Sequence, residues 1–180
     1  MQCFSAPRAL AVLVFISLLA GVPKPAAAHM EGQSYVYLNV AENSLTGRFE
    51  VEVDDLHRVV NLDLDGDGET TNDEIRAGTS TAVEYLRTRL TLRHEGKDIP
   101  PTMGGLLDVI PTEAGRFARF EFTIPELSPP PESVDVRFDL LYNDGLPSHL
   151  CMVLIENNVR RGIQDNESRP AALYRPGEEW

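Results

Sequence analysis

The stretch that decides the fold is GRFEVEVDDLHRVVNLDLDGDGETTNDEI, residues 47–75, where an alternating β-type pattern runs into a short acidic loop and then into a helix. From Asp63 onward the residues follow the spacing D-x-D-x-D-G-x5-E, which is the spacing of an EF-hand calcium loop. Such a loop surrounds Ca²⁺ with oxygens from positions 1, 3, 5, 7, 9 and 12. The spacing therefore predicts a calcium site at residues 63–74.

Each predicted ligand has a defined part in this site. Three short carboxylates cover one side of the ion, a long glutamate closes the other side with both oxygens, and position 7 offers its backbone carbonyl. Gly68, at position 6, permits the sharp turn that brings position 7 inward. The predicted ligands are Asp63, Asp65, Asp67, the carbonyl of Glu69, Thr71 (directly or through a water) and Glu74. Without a cation the carboxylates repel one another, so ion binding and local folding are expected to be coupled.

Two features separate this loop from the paired loops of calcium sensors. Position 8, where a paired loop usually carries an aliphatic residue, is Thr70, and the sequence holds no second loop. The segment DLHRVVNL before the loop allows at most about two helical turns. A lone site outside the cytosol, binding at roughly 10⁻⁴ to 10⁻³ M, fits better than an opening sensor. The alternative is an Asp- and Gly-rich surface turn that binds no ion tightly.

Most of the remaining chain has the alternation of β-strands. Residues rich in β-branched and aromatic types predict strands in five segments, the first two forming a hairpin. These segments are 34–40, 47–55, 116–124, 133–142 and 150–156. The last is a continuous apolar run, as expected for a strand covered on both faces. LTLRHEGKDI, residues 90–99, predicts further strand and turn around Gly96, and PELSPPPES, residues 125–133, is expected to cross between strands.

A single helix is predicted from Asn72 to about Arg89, because apolar residues follow a 3.6-residue period there. The residues on this face are Ile75, Thr79, Ala82, Val83, Leu86 and Leu90. The predicted fold class is thus mainly β (α+β), a sandwich-like antiparallel sheet with one amphipathic helix after the EF-hand-type loop.

The N-terminus predicts export. Arg8 precedes an apolar run from Ala9 to Ala20, and small residues follow at Ala26 to Ala28. The run is shorter than the roughly 20 residues that span a bilayer, so residues 1–28 are expected to be a cleaved signal peptide. Residues 29–180 would then form one soluble β-rich domain, periplasmic or extracellular. An uncleaved N-terminal anchor is the alternative.

Charge and cysteine content narrow the possible functions. A net charge of −12 repels nucleic acid and anionic lipid and suits cation binding. Once a signal peptide containing Cys3 is removed, Cys151 has no cysteine to pair with. Its apolar neighbours predict a buried thiol rather than a reactive or intermolecular one.

The order of these segments resembles the extracytoplasmic N-terminal region of HupE/UreJ-type bacterial membrane proteins. The likeness runs from SYVYLNV through the acidic loop to VRFDLLYNDGLPSHLCMVLIENN and RPAALYRPGEEW, over nearly all of residues 29–180. In that family a bundle of transmembrane helices normally follows, with suggested roles in nickel or other metal uptake. This chain ends at Trp180, where the first membrane helix is expected, and is either a standalone relative or a truncated form. The resemblance implies an integral membrane protein as a partner and carries over only the calcium loop.

Two other functions stay open at this point. After cleavage at Ala28, the amine and imidazole of His29 would chelate Cu²⁺ or Ni²⁺, with His57, His94 or His149 as a third ligand. Catalysis lacks support, because G-x-S-x-G, H-E-x-x-H and a cysteine–histidine pairing are all missing. Asn166 begins an N-x-S acceptor sequence, which carries little meaning in a bacterial protein. The chain is therefore expected not to be an enzyme.

Overall fold

A computed structural model describes residues 32–163 and 168–174 and confirms the mainly-β prediction. The predictions on residues 1–28, His29 and Asn166 lie outside the described residues. The strands are β1 (Gln33–Val40), β2 (Leu45–Glu52), β3 (Leu90–His94), β4 (Lys97–Ile99), β5 (Thr102–Thr112), β6 (Gly115–Thr123), β7 (Asp135–Phe138), β8 (Leu150–Asn158) and β9 (Arg169–Tyr174). The α-helices are α1 (Val53–Val59), α2 (Asn72–Ala77) and α3 (Thr79–Arg87).

The strands form two sheets. The larger sheet has the order β5-β6-β2-β1-β8-β9, and the smaller has the order β4-β3-β7. β1 and β2 form the predicted hairpin, but β1 pairs with β8 in parallel. A parallel pair needs a long connection, and here almost the whole intervening chain supplies it, so the larger sheet is mixed rather than purely antiparallel.

The two sheets enclose a common apolar core, as the sandwich-like prediction requires. The ring of Phe49 on β2 lies 5.1 Å from that of Phe122 on β6 and 5.8 Å from that of Phe138 on β7. All three side chains have at most 1% exposure. The proline-rich segment after β6 leads to β7 of the other sheet, which confirms it as a crossing between strands.

Several element boundaries differ from the sequence prediction. The strand predicted at 47–55 ends at Glu52, since Val53 to Asp55 form the first turn of α1. The strand predicted at 133–142 covers only Asp135–Phe138. β8 alternates between buried and half-buried residues at its start, so its two faces are not equally covered. β5 was not predicted, because glycines and a proline interrupt its alternation and the register shifts beside Leu106.

The helix predicted from Asn72 to Arg89 is two helices that meet at Gly78. A Cβ at Gly78 would lie 2.6 Å from Leu62 Cδ2, so the glycine lets the residue before the acidic loop approach the helix backbone. The predicted apolar face is nevertheless confirmed, because Ile75, Ala82, Leu86 and Leu90 are all buried. No helix in the described ranges is long and apolar enough to cross a membrane.

Candidate metal centre

The acidic loop lies between two short helices, as in an EF-hand. α1 has seven residues, which is about two turns, and it is anchored by Val53 and Leu56 in the core. Leu62, fully buried, ends the connection from α1. α2 begins at Asn72, within the last turn of the loop. Both ends of the loop are therefore held by apolar burial, while the loop between them is largely exposed.

The three aspartates of the loop converge. One carboxylate oxygen from each of Asp63, Asp65 and Asp67 lies within 4.8 Å of the other two. Asp63 accepts hydrogen bonds from the N–H groups of Gly66 (2.7 Å) and Gly68 (2.9 Å). Such hydrogen bonds hold the carboxylates in place and offset part of their mutual repulsion. The three carboxylates are thus close enough together to serve as oxygen ligands of one hard cation.

Two glycines give the loop its sharp turns. Gly66 and Gly68 have φ values of +78° and +87°, in the left-handed region. Side chains with a Cβ reach this region only at a cost of about 1–2 kcal/mol. The turn predicted at position 6 is therefore confirmed, and Gly66 at position 4 makes a second turn of the same kind.

We expect Gly68→Ala to lower the free energy of unfolding by about 1 kcal/mol in the absence of calcium, because alanine is strained at this φ. Chemical denaturation in the presence of a chelator measures the effect. Gly105→Ala is the matched control, since Gly105 lacks a positive φ and a Cβ there meets no atom within 4 Å. Equal stability of the two variants would show that the left-handed conformation at Gly68 imposes no strain on a residue with a Cβ.

Glu74 closes the loop through its carboxylate. Oε1 accepts from Leu64 N (2.7 Å) and Asp65 N (3.3 Å), near the start of the loop. Oε2 accepts from Thr71 N and Thr71 Oγ1, both at 2.8 Å, while Glu74 N donates to Thr71 Oγ1 at 3.3 Å. Thr71 and Glu74 thus form a capping box at the start of α2. Position 12 is therefore already turned toward positions 2 and 3, the side that a bidentate ligand must reach.

These hydrogen bonds stabilise the ionised form of Glu74. Donation from the Thr71 backbone, and then from the Thr71 hydroxyl and Leu64, lowers the pKa of Glu74 from 4.5 to about 2. Because the folded pKa is lower than the ordinary value, the stabilisation is present above about pH 4.5 and is lost as the pH falls toward 2.

An NMR titration of the Glu74 side chain in the calcium-free protein is expected to have its midpoint near pH 2. Denaturation with urea leaves the carboxyl without its loop donors, so in that state the midpoint should return to about 4.5. A native midpoint already near 4.5 would mean that the loop amides do not hold Glu74 in solution.

The remaining predicted ligands, Glu69 and Thr71, lie in the sequence between the three aspartates and Glu74. Glu69 N donates to Asp67 Oδ1 at 2.8 Å, and the side chain of Glu69 is exposed, in keeping with a role for its carbonyl alone. Thr71 Oγ1 is engaged with Glu74. The structure therefore brings the three aspartates together, ties Thr71 to Glu74, and links Glu74 back to the start of the loop.

Two supporting residues were not identified from the sequence. His57 Nδ1 on α1 accepts from Leu62 N (3.1 Å) and Asp63 N (3.3 Å), so it fixes the first loop residue from outside the motif. Arg116 on β6 donates to Thr70 O at 2.6 Å and attaches the outer side of the loop to the larger sheet. His57 could have been identified as a polar side chain five residues before Leu62, near enough to accept from the backbone at the start of the loop. No feature of the sequence connects Arg116 with Thr70.

Other cysteine and histidine predictions are placed by the fold. Cys151 is fully buried and its Sγ donates to Leu140 O, which confirms a core thiol; burial raises its pKa. His57, His94 and His149 lie on separate segments: α1, β3 and the turn before β8. In the described ranges, the three loop aspartates are the one cluster of three or more acidic, histidine or cysteine side chains close enough to share an ion.

Comparison with known proteins adds no relative: no protein-family model, curated protein or solved structure matches this sequence at a significant level.

Proposed function

We propose that this chain is a non-enzymatic calcium-binding domain in which one Ca²⁺ occupies residues 63–74 and stabilises the connection between α1 and α2. The observation that supports this most is the convergence of Asp63, Asp65 and Asp67 opposite a glutamate at position 12 whose carboxylate faces the start of the same loop. Seven or so oxygens can be gathered there, which suits Ca²⁺ better than the octahedral Mg²⁺.

The role of the ion is structural in this proposal. The loop is exposed between two buried anchors, so its conformation depends on hydrogen bonds within the loop and on the ion. An ion that binds only the folded state stabilises that state, by an amount that grows with the ratio of ion concentration to Kd. A single EF-hand without a paired second hand has no hydrophobic groove to open, which favours a permanently filled site over a calcium switch.

Export and a membrane partner belong to the same proposal. They are supported by the N-terminal sequence of residues 1–28 and by the resemblance to the extracytoplasmic region of HupE/UreJ-type proteins. On that basis the domain is a periplasmic or extracellular adaptor beside an integral membrane protein. Expression of the full chain in a bacterial host, followed by fractionation and N-terminal sequencing, tests export. A protein that stays in the cytoplasm with its first 28 residues attached would contradict it.

Isothermal titration calorimetry with Ca²⁺ and Mg²⁺ tests the calcium site. We expect one Ca²⁺ per chain and an increase in Tm, both lost in the double variant Asp63→Ala/Glu74→Ala. The matched control Glu126→Ala/Glu132→Ala removes two exposed carboxylates from the proline-rich segment after β6, at the end of the sheet away from the loop, and should bind Ca²⁺ as the wild type does. Binding that weakens equally in both variants, or no binding at millimolar Ca²⁺, would contradict the proposal.

A further inference from the structure

A shallow cavity of about 510 Å³ lies on the face of the larger sheet that points away from the core. Sites for small molecules have volumes of about 300–1,000 Å³, so this cavity is large enough to hold a ligand. It extends over the end of β6 at Thr123, whereas Arg116, near the start of the same strand, contacts the acidic loop. The cavity shares no residue with the loop, so its ligand is independent of the calcium proposal.

A row of four polar side chains forms the floor of the cavity. They lie opposite one another on the adjacent strands β5, β6, β2 and β1, in the order Thr102, Thr123, Thr46 and Asn39. The next residues along two of these strands, Leu45 and Phe122, are buried in the core, so the row itself faces outward. Neighbouring strands lie about 4.8 Å apart, and each hydroxyl or amide can both donate and accept. The floor therefore repeats a hydrogen-bonding group at every strand.

Arg48 and Glu121 lie opposite each other in the next row of the same face. Contacts with three residues hold Arg48 in place. Its Cζ lies 4.1 Å from the centroid of the Tyr37 ring, and its Nε and Nη1 donate to Glu50 and Glu156. A guanidinium has five N–H donors, so further donors remain for a ligand. Glu121 is exposed and adds a carboxylate that can only accept.

β5 forms the rim of the cavity through an irregular stretch. Its register against β6 shifts between Met103 and Leu106 and again between Leu106 and Asp108. Such bulges redirect side chains and are frequent beside active sites. A Cβ at Gly104 would lie 2.5 Å from Glu121 Cγ, so the glycine lets the glutamate lie across β5. The same stretch leaves Leu107 50% exposed at the rim, which places an apolar surface beside the polar floor.

The charges and hydrogen-bonding groups of the cavity indicate the class of ligand. Arg48 already contacts two carboxylates, which disfavours an anion. As a single carboxylate, Glu121 offers too few oxygens for a hard cation, which takes about 6–8. An apolar ligand would separate the threonine hydroxyls from water without replacing their hydrogen bonds. We propose that the cavity binds a neutral carbohydrate, whose hydroxyls pair with the polar rows and whose C–H groups contact Leu107.

A linear β-linked glycan suits this surface best. One sugar unit advances along such a chain by nearly the distance between neighbouring strands, so successive units can lie over the row from Thr102 to Asn39. Each unit would then meet a hydroxyl or amide of the floor. Arg48 and Glu121, in the second row, would bind hydroxyls on one side of the chain.

Titration of the ¹⁵N-labelled protein with cellohexaose and with chitohexaose, followed by ¹H–¹⁵N NMR, tests the proposal. We expect at least one of these neutral β-linked hexasaccharides, at millimolar concentration, to shift the amide signals of residues 46–48, 102–107 and 121–123 and to leave those of residues 63–74 in place. No shift at the cavity with either sugar would overturn the site. Equal or larger shifts with α-linked maltohexaose or with an anionic mannuronate hexamer would overturn the ligand class.

Variants test the named side chains. Thr123→Val removes one hydroxyl at nearly constant volume and should weaken binding by roughly 2- to 10-fold, and Glu121→Ala should weaken it by roughly 10- to 100-fold. Two matched controls, Thr91→Val on β3 and Glu113→Ala in the turn at the other end of β5 and β6, should bind as the wild type does. Wild-type affinity in both cavity variants would overturn the proposal. A failure of the protein to bind calcium would contradict only the proposed function of the loop.

Discussion

Replacing Glu74 with glutamine is expected to lower the calcium affinity of this protein by roughly 100-fold or more. Mutation of residues that only hydrogen-bond to metal ligands already lowers metal affinity by about 10- to 100-fold. An amide offers one neutral oxygen in place of two that share a negative charge, so bidentate closure of the site is lost. The variant also loses acceptor capacity at the position that receives N–H groups from Leu64 and Thr71. Calorimetric titration of the variant against wild type measures the change.

Glu69→Gln is the matched control for this experiment. It removes the same charge from the same loop, but the exposed side chain of Glu69 is not a predicted ligand. Its affinity should stay within a few-fold of the wild type, as expected for a charge change at an exposed position. A similar loss of affinity in both variants would mean that the total charge of the loop, rather than closure by position 12, determines calcium binding.

The second large effect is expected in the core: Phe49→Ala should lower the free energy of unfolding by about 3–5 kcal/mol. Phe49 is fully buried and its ring contacts Phe122 in the same sheet and Phe138 in the other, so its removal leaves a cavity between the sheets. Since a domain of this size is stable by only about 5–15 kcal/mol, much of the population could unfold at elevated temperature. Urea denaturation monitored by circular dichroism gives the value.

Leu107→Ala provides the comparison, because Leu107 is 50% exposed on β5. Its truncation should change the free energy of unfolding by no more than about 0.5 kcal/mol. If Phe49→Ala were as mild as this control, the two sheets would not share the core described above.

The sequence predicted best those features that depend on neighbouring residues. The spacing from Asp63 to Glu74, the turn at Gly68 and the start of a helix at Asn72 are local, because hydrogen bonds within twelve residues define them. Capping of α2 by Thr71 is equally local, but it was not predicted. The apolar face of α2 and α3 was recognisable from its period for the same reason.

Features that depend on distant residues escaped prediction. The parallel pairing of β1 with β8 joins residues more than a hundred positions apart, and no local pattern specifies it. The break at Gly78 exists because Leu62 packs against it. The 3.5 Å contact between His149 Nδ1, before β8, and Asp55 Oδ2, on α1, likewise joins residues far apart in the sequence. A helical period or a strand alternation carries no information about which distant side chain will lie beside it.

A crystal structure of the protein grown with millimolar Ca²⁺ tests the central claim most directly. It should show one ion bound by Asp63, Asp65, Asp67, the Glu69 carbonyl, both Glu74 oxygens and Thr71 or a water held by it. The metal–oxygen distances should be about 2.3–2.6 Å. A loop without an ion, with Glu74 still accepting only from Leu64, Asp65 and Thr71, would contradict the account and leave the acidic stretch as a turn closed by its own hydrogen bonds.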